Sequence, residues 1–194
     1  MKQASSRELF AYWTARRGTR AAPERGEIEP SAIRRALGDV FILEFDRADG
    51  HPFRLAGTRV CALFGRELKN EPFLHMWSAD TRIPVSELLD VIADEASGIV
   101  ASISGRTAQG WAQELEMTLL PLAQRGDTHA RLIGSLTPLS APFWLGAAQL
   151  GSLTLGSYRH LDATLEAPAA ARLVAGTQAP IRRAMLTVLE GGRR

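Results

Sequence analysis

The chain has 194 residues, 45% hydrophobic and 23% charged, which suits one domain with a buried core and terminal extensions. Its single cysteine, Cys61, excludes an intrachain disulfide, a CxxC redox pair and a thiolate-rich metal site. Lys and Arg number 23 against 21 Asp and Glu, a net +2 that is a weak footprint for nucleic acid, and no apolar run approaches the ~20 residues of a membrane span. The N-terminus leads into a helical pattern and not into an apolar signal core, so a cytoplasmic location is expected.

Ser5 followed three residues later by Glu8 is a capping-box pattern. Leu9, Tyr12, Trp13 and Arg16 then fall at helical spacing, and Gly18 marks the stop. Arg16, Arg17, Arg20 and Arg25 surround a Pro-containing stretch that reads as a solvated linker. A short helix is expected over 30–37, with Pro30 at its first position and Gly38 after its end. Phe41, Leu43 and Phe45 alternate as the inner face of a strand, Asp49-Gly50 marks a hairpin turn, and Phe53 and Leu55 share one face of the return strand. Val85, Leu88, Leu89, Ile92, Ala93 and Ala96 form the clearest helical stripe. Strands are expected over 99–104, over 111–122, where Leu115, Met117 and Leu119 alternate with polar residues, and over 130–138, ended by Pro138. A further strand at 150–155 is weaker. Residues 162–179 read as a flexible connection, and 186–189 as a late strand.

The order strand, strand, short helices, longer helix, three strands is that of a PAS domain. The word running from Phe53 through Gly57-Thr58-Arg59-Val60-Cys61 to Leu68 resembles the signature of small single-domain bacterial PAS proteins. Phe10 to Gly18, Ile28 to Arg34, Val40 to Glu44 and Phe73 to Trp77 resemble further elements of that family. The resemblance spans Leu9 to about Leu161. It implies an α+β fold, with a five-stranded antiparallel sheet and helices over one face, preceded by an amphipathic helix. The expected division is 1–27 for the N-terminal helix and linker, 28–161 for the PAS-like domain and 162–194 for the connection and C-terminal segment. The implied role is sensory or regulatory.

PAS domains keep a ligand, when they have one, between the sheet and the covering helices. The residues expected there are Phe45, Leu55, Val60, Leu63, Phe64, Leu74, Trp77, Leu88, Ile92, Leu115 and Met117, with Arg59 as a guanidinium beside the pocket. Their apolar character favours a lipid-like, aromatic or planar small molecule, though a filled core of the same residues fits the sequence equally well. Arg59 otherwise pairs with an acid such as Glu44 or Glu116. The ligand is unidentified. Haem and flavin are not expected: Cys61 lies on an apolar helix face, and His75 has no second ligand at metal spacing. His51, His129 and His160 fall at turns or strand ends and read as solvated.

No Gly-x-Ser-x-Gly, Walker loop or Gly-x-Gly-x-x-Gly occurs, so no enzyme is expected. Glu114 and Glu116 read as solvent-exposed or turned toward another subunit. Leu9, Phe10, Tyr12 and Trp13 give the first helix an apolar face too large to stand in water. It docks on its own sheet or pairs with a second copy, and a homodimer is expected. The alternative to a ligand-binding module is a ligand-free dimer or adaptor recognised by a signalling partner.

Overall fold

The computed structural model of the chain describes residues 1–141, 144, 145 and 147–161. The expectations for 162–179 and 186–189 lie outside the described residues. Three helices, α1 (Ala4–Arg17), α2 (Thr58–Phe64) and α3 (Ala79–Glu95), accompany six strands. These are β1 (Val40–Glu44), β2 (Phe53–Ala56), β3 (Gly98–Thr107), β4 (Ala112–Gln124), β5 (Asp127–Pro138) and β6 (Leu150–Leu161). They form one sheet in the order β2-β1-β5-β4-β3-β6, with every neighbouring pair antiparallel.

The inner face of the sheet follows the alternation read from the sequence. Phe41 and Leu43 of β1 and Leu115, Met117 and Leu119 of β4 join one core with Val85, Leu88, Leu89 and Ile92 of α3. Helix α3 begins earlier than its apolar stripe and carries Pro84 within its first two turns. It ends at Ala96, which takes the left-handed conformation at φ 49°.

The outer face is covered as well. Leu9, Phe10 and Trp13 of α1 pack with Val40, Ile42, Leu120, Leu122 and Ile133 into a second core. Trp13 Nε1 donates to the Pro121 carbonyl at 2.7 Å. The run Leu119-Leu120-Pro121-Leu122-Ala123 is therefore buried on both sides, as continuous apolar strands are. Of the two arrangements expected for the first helix, docking on its own sheet is present: Leu9, Phe10 and Trp13 are buried there. Tyr12 instead bonds locally, its hydroxyl donating to the Glu27 carbonyl and accepting from the Glu29 amide.

Two local expectations change. Ser5 does not cap α1: its hydroxyl donates to Asp39 at 2.5 Å, and the helix begins at Ala4 with Gln3 before it. The helix expected over 30–37 is two short 3₁₀ turns, Pro30–Ile33 and Leu37–Asp39. Strand β6 continues to Leu161 because it pairs along β3, which no local pattern signals.

Candidate functional site

The space between sheet and helices is where the expected ligand residues gather. Val60, Leu63 and Phe64 come from α2, Trp77 from the turn before α3, Leu88 and Ile92 from α3, and Leu115 and Met117 from β4. All eight are buried in one cluster, with Phe45 and Leu74 at its border. Packed among them is an aromatic group that the expected set omits. Phe41, Phe53 and Phe73 lie 5.6–5.9 Å apart centroid to centroid, and Trp77 sits 5.6 Å from Phe73. Such spacing lies in the favourable range for aromatic pairs.

Leu55 is not part of this core: it is 44% exposed. A register shift between Ile42 and Leu43 sets Phe53 opposite Leu43 but Leu55 opposite Ile42. Ile42 belongs to the outer core, so a bulge in a four-residue strand sends two apolar residues to opposite faces. Arg59 also lies outside the core. Its Nε and one terminal nitrogen donate to the two oxygens of Asp39, at 2.6 and 2.8 Å, and the terminal nitrogen also reaches the Arg35 carbonyl. The guanidinium therefore serves an ion pair, with Asp39 and not Glu44 or Glu116 as the acid, and the hydrogen bond to Asp39 raises its already high pKa. Gly57 lies immediately before α2 because a Cβ there would stand 2.2 Å from the Leu37 carbonyl. Close backbone approach and a bidentate ion pair together account for Gly57-Thr58-Arg59 in the sequence.

Two buried polar side chains beside the inner core have ring nitrogens with no hydrogen-bond partner among the described residues. His51, read as solvated, is fully buried. Both of its ring nitrogens and Trp77 Nε1 lack a hydrogen bond. His51 follows the hairpin turn in the left-handed conformation, φ 58°, and its ring meets Phe45 edge-on at 4.9 Å. Burial holds its pKa below the ordinary histidine value, the nearby Asp90 opposing this and Arg47 reinforcing it. His75 is exposed, while His129 and His160 lie at the surface beside Asp94 and Glu95. Cys61 is half-buried at the core edge, and burial pushes its thiol up. Among the described residues, no group of three or more His, Cys, Asp or Glu side chains is placed to hold a metal ion.

Glu116 is buried beneath the start of α1. Its two oxygens accept from the Lys2 and Gln3 amides at 2.6 and 2.9 Å. It thus anchors the two residues that lead into α1, whose own N-terminus has no side-chain cap. Clefts open at the surface among the described residues. One of about 450 Å³ lies beside Glu116 and the N-terminus, one of about 710 Å³ beside the β1–β2 turn, and one of about 480 Å³ beside the β4–β5 turn.

A β2-β1-β5-β4-β3 antiparallel array with α2 and α3 over its inner face is the architecture of a PAS-type sensory domain. The family model described as "PAS domain" matches residues 1–137, and the chain belongs to that family. Solved structures of similar fold include a light-oxygen-voltage domain described with a flavin analogue, at 12% identity and TM-score 0.46, covering 57% of this chain and 83% of that one. Another is the PAS domain, in complex with ethanol, of a LuxR-family transcriptional regulator from Burkholderia thailandensis, at 16% identity and TM-score 0.42, covering 56% and 97%. A third is the Rhodobacter sphaeroides LOV protein, at 14% identity and TM-score 0.42, covering 56% and 66%. No curated protein sequence matches the chain. No helix among the described residues is long and apolar enough to cross a membrane.

Proposed function

We propose that the chain is a cytoplasmic PAS-type regulatory module that passes the state of its inner core to its outer face by contact. The observation that carries this reading is the Asp39 carboxylate. It accepts from Ser5 of α1, which covers the outer face, and from Arg59 of α2, which covers the inner core. A change in how α2 packs reaches α1 through one shared acid. The ligand of this reading is a small apolar or planar molecule among Val60, Phe64, Trp77, Ile92 and Met117, with His51 and Trp77 Nε1 as the polar atoms it would meet. No catalytic step is assigned.

The burial of that core's side chains by one another suits a second reading, a ligand-free module recognised by a partner protein. Native mass spectrometry of freshly purified protein, with an absorbance scan, separates the two. Extra mass that leaves on denaturation supports the ligand reading and identifies its class. A bare mass without absorbance beyond the protein band supports the second. The same spectrum reports oligomeric state: a strict monomer removes the expected homodimer, in line with the burial of Leu9, Phe10 and Trp13 within one chain.

A further inference from the structure

The cleft beside the β4–β5 turn has an unusual lining. Arg25, Arg54, Arg125 and Arg131 enter it from four separate places in the chain, against Glu24 as the one carboxylate among the described residues of its lining. Glu24 is already engaged, its oxygens accepting from the Arg125 and Gly126 amides at 3.0 and 2.8 Å. Arg54 is paired with Glu44 at 3.2 Å. Among the described residues, Arg25, Arg125 and Arg131 form no ion pair, whereas the neighbouring Arg16 and Arg20 are paired with Glu29 and Glu27. A chain whose whole formal charge is +2 therefore gathers four guanidinium groups in one cleft of about 480 Å³, where Arg131 Nε donates to Gln124 Oε1 at 3.4 Å and, among the described residues, the carboxylates are Glu24 in the lining and Glu44 on Arg54. Ile42 and the exposed Leu55 supply its apolar part.

We propose that this cleft docks an acidic peptide segment of a partner protein, with an apolar residue among its carboxylates. The inference rests on the partner-contact side of the regulatory reading and gives that partner a chemistry. Dispersed, solvent-open guanidinium groups suit a chain of carboxylates, whereas a compact anion is held by convergent buried donors. Among the described residues, no aromatic side chain lines the cleft, which therefore offers there no stacking platform of the kind single-stranded nucleic acid uses. Leu55, turned outward by the β2 bulge, is the apolar anchor.

The test measures fluorescence anisotropy of a labelled Glu-Glu-Leu repeat peptide titrated with the full chain, with a Lys-Lys-Leu repeat as control. Binding of the acidic peptide alone is expected, weakening about tenfold between about 50 and about 300 mM NaCl. The double variant R25A/R125A is expected to lose about tenfold in affinity, and Leu55→Ser a similar factor, while R34A/R35A, at exposed arginines outside the cleft, stays within about twofold. Circular dichroism confirms that each variant is folded. The proposal is overturned by no binding at low salt, by equal losses in the cleft and control variants, or by an oligonucleotide that binds the cleft more tightly than the peptide. Those outcomes remove the docking site and leave the core-ligand mass measurement to judge the regulatory reading independently.

Discussion

Arg59 and Asp39 join through two parallel hydrogen bonds of 2.6 and 2.8 Å, one side of the pair exposed and the other buried. The buried partner also accepts from Ser5, so α1, the turn before β1 and α2 meet at one carboxylate.

Substitution Arg59→Gln removes the charge and the forked pair of donors and shortens the side chain, so both hydrogen bonds to Asp39 are lost. Asp39 is left buried with Ser5 as its remaining side-chain donor. The expected loss is about 1–2 kcal/mol of unfolding free energy, held down by the solvent exposure of the arginine. A lowered urea midpoint is the expected reading. Hydrogen exchange should also show weaker protection of α1 amides, although α1 lies on the opposite face of the sheet. Unchanged α1 protection would sink the relay through Asp39.

Glu116 makes acid stability depend on α1. Burial pushes its carboxyl up, but hydrogen bonds from the Lys2 and Gln3 amides and from Ser6, with the N-terminal ammonium, more than offset this and hold it below 4.5. A carboxyl depressed in the folded state stabilises the fold above its unfolded pKa. That contribution is lost as pH falls through the lower folded value. Glu116→Gln is expected to cost about 1–2 kcal/mol near pH 7, with the gap to wild type closing below about pH 4. Denaturant midpoints of both proteins across that range are the check; a constant gap contradicts it.

His51 acts in a different pH window. Its buried ring is neutral in the fold, with a pKa below 6.5. The unfolded chain binds a proton near 6.5, so stability is full above that value and declines below it, by up to about 1.4 kcal/mol per pH unit until the folded pKa is reached. Histidine ring resonances followed by NMR should show His51 losing its proton at a pH below the ordinary histidine value, and the denaturation midpoint should fall over the same range. His51→Asn suits the left-handed backbone and is expected to flatten that fall. Titration of His51 at the ordinary value would contradict the assignment.

The elements that were readable beforehand are those whose signal is periodic and local. The α3 stripe, the β4 alternation and Gly18 at the end of α1 all appear where the spacing placed them. The inner-core residues followed from the same alternation, which is why eight of the eleven apolar candidates fall in the buried cluster. Leu55 departed because one bulge reverses every later side chain of a strand, and nothing in Phe53-Arg54-Leu55 announces it. His51 departed because the turn that carries it folds back under Phe45.

Local periodicity, then, was sufficient to establish that α1 and the strands each carry an apolar face, and roughly where each element runs. It did not say what those faces would meet. That Phe10 joins Ile133 in the core on its own sheet's outer side, that Arg59 finds Asp39, and that Glu116 meets the start of α1 bring together residues far apart in the chain. Such pairings depend on strand register and on the order of strands in the sheet. These are settled by the joint burial of many side chains, so no short window of sequence contains them.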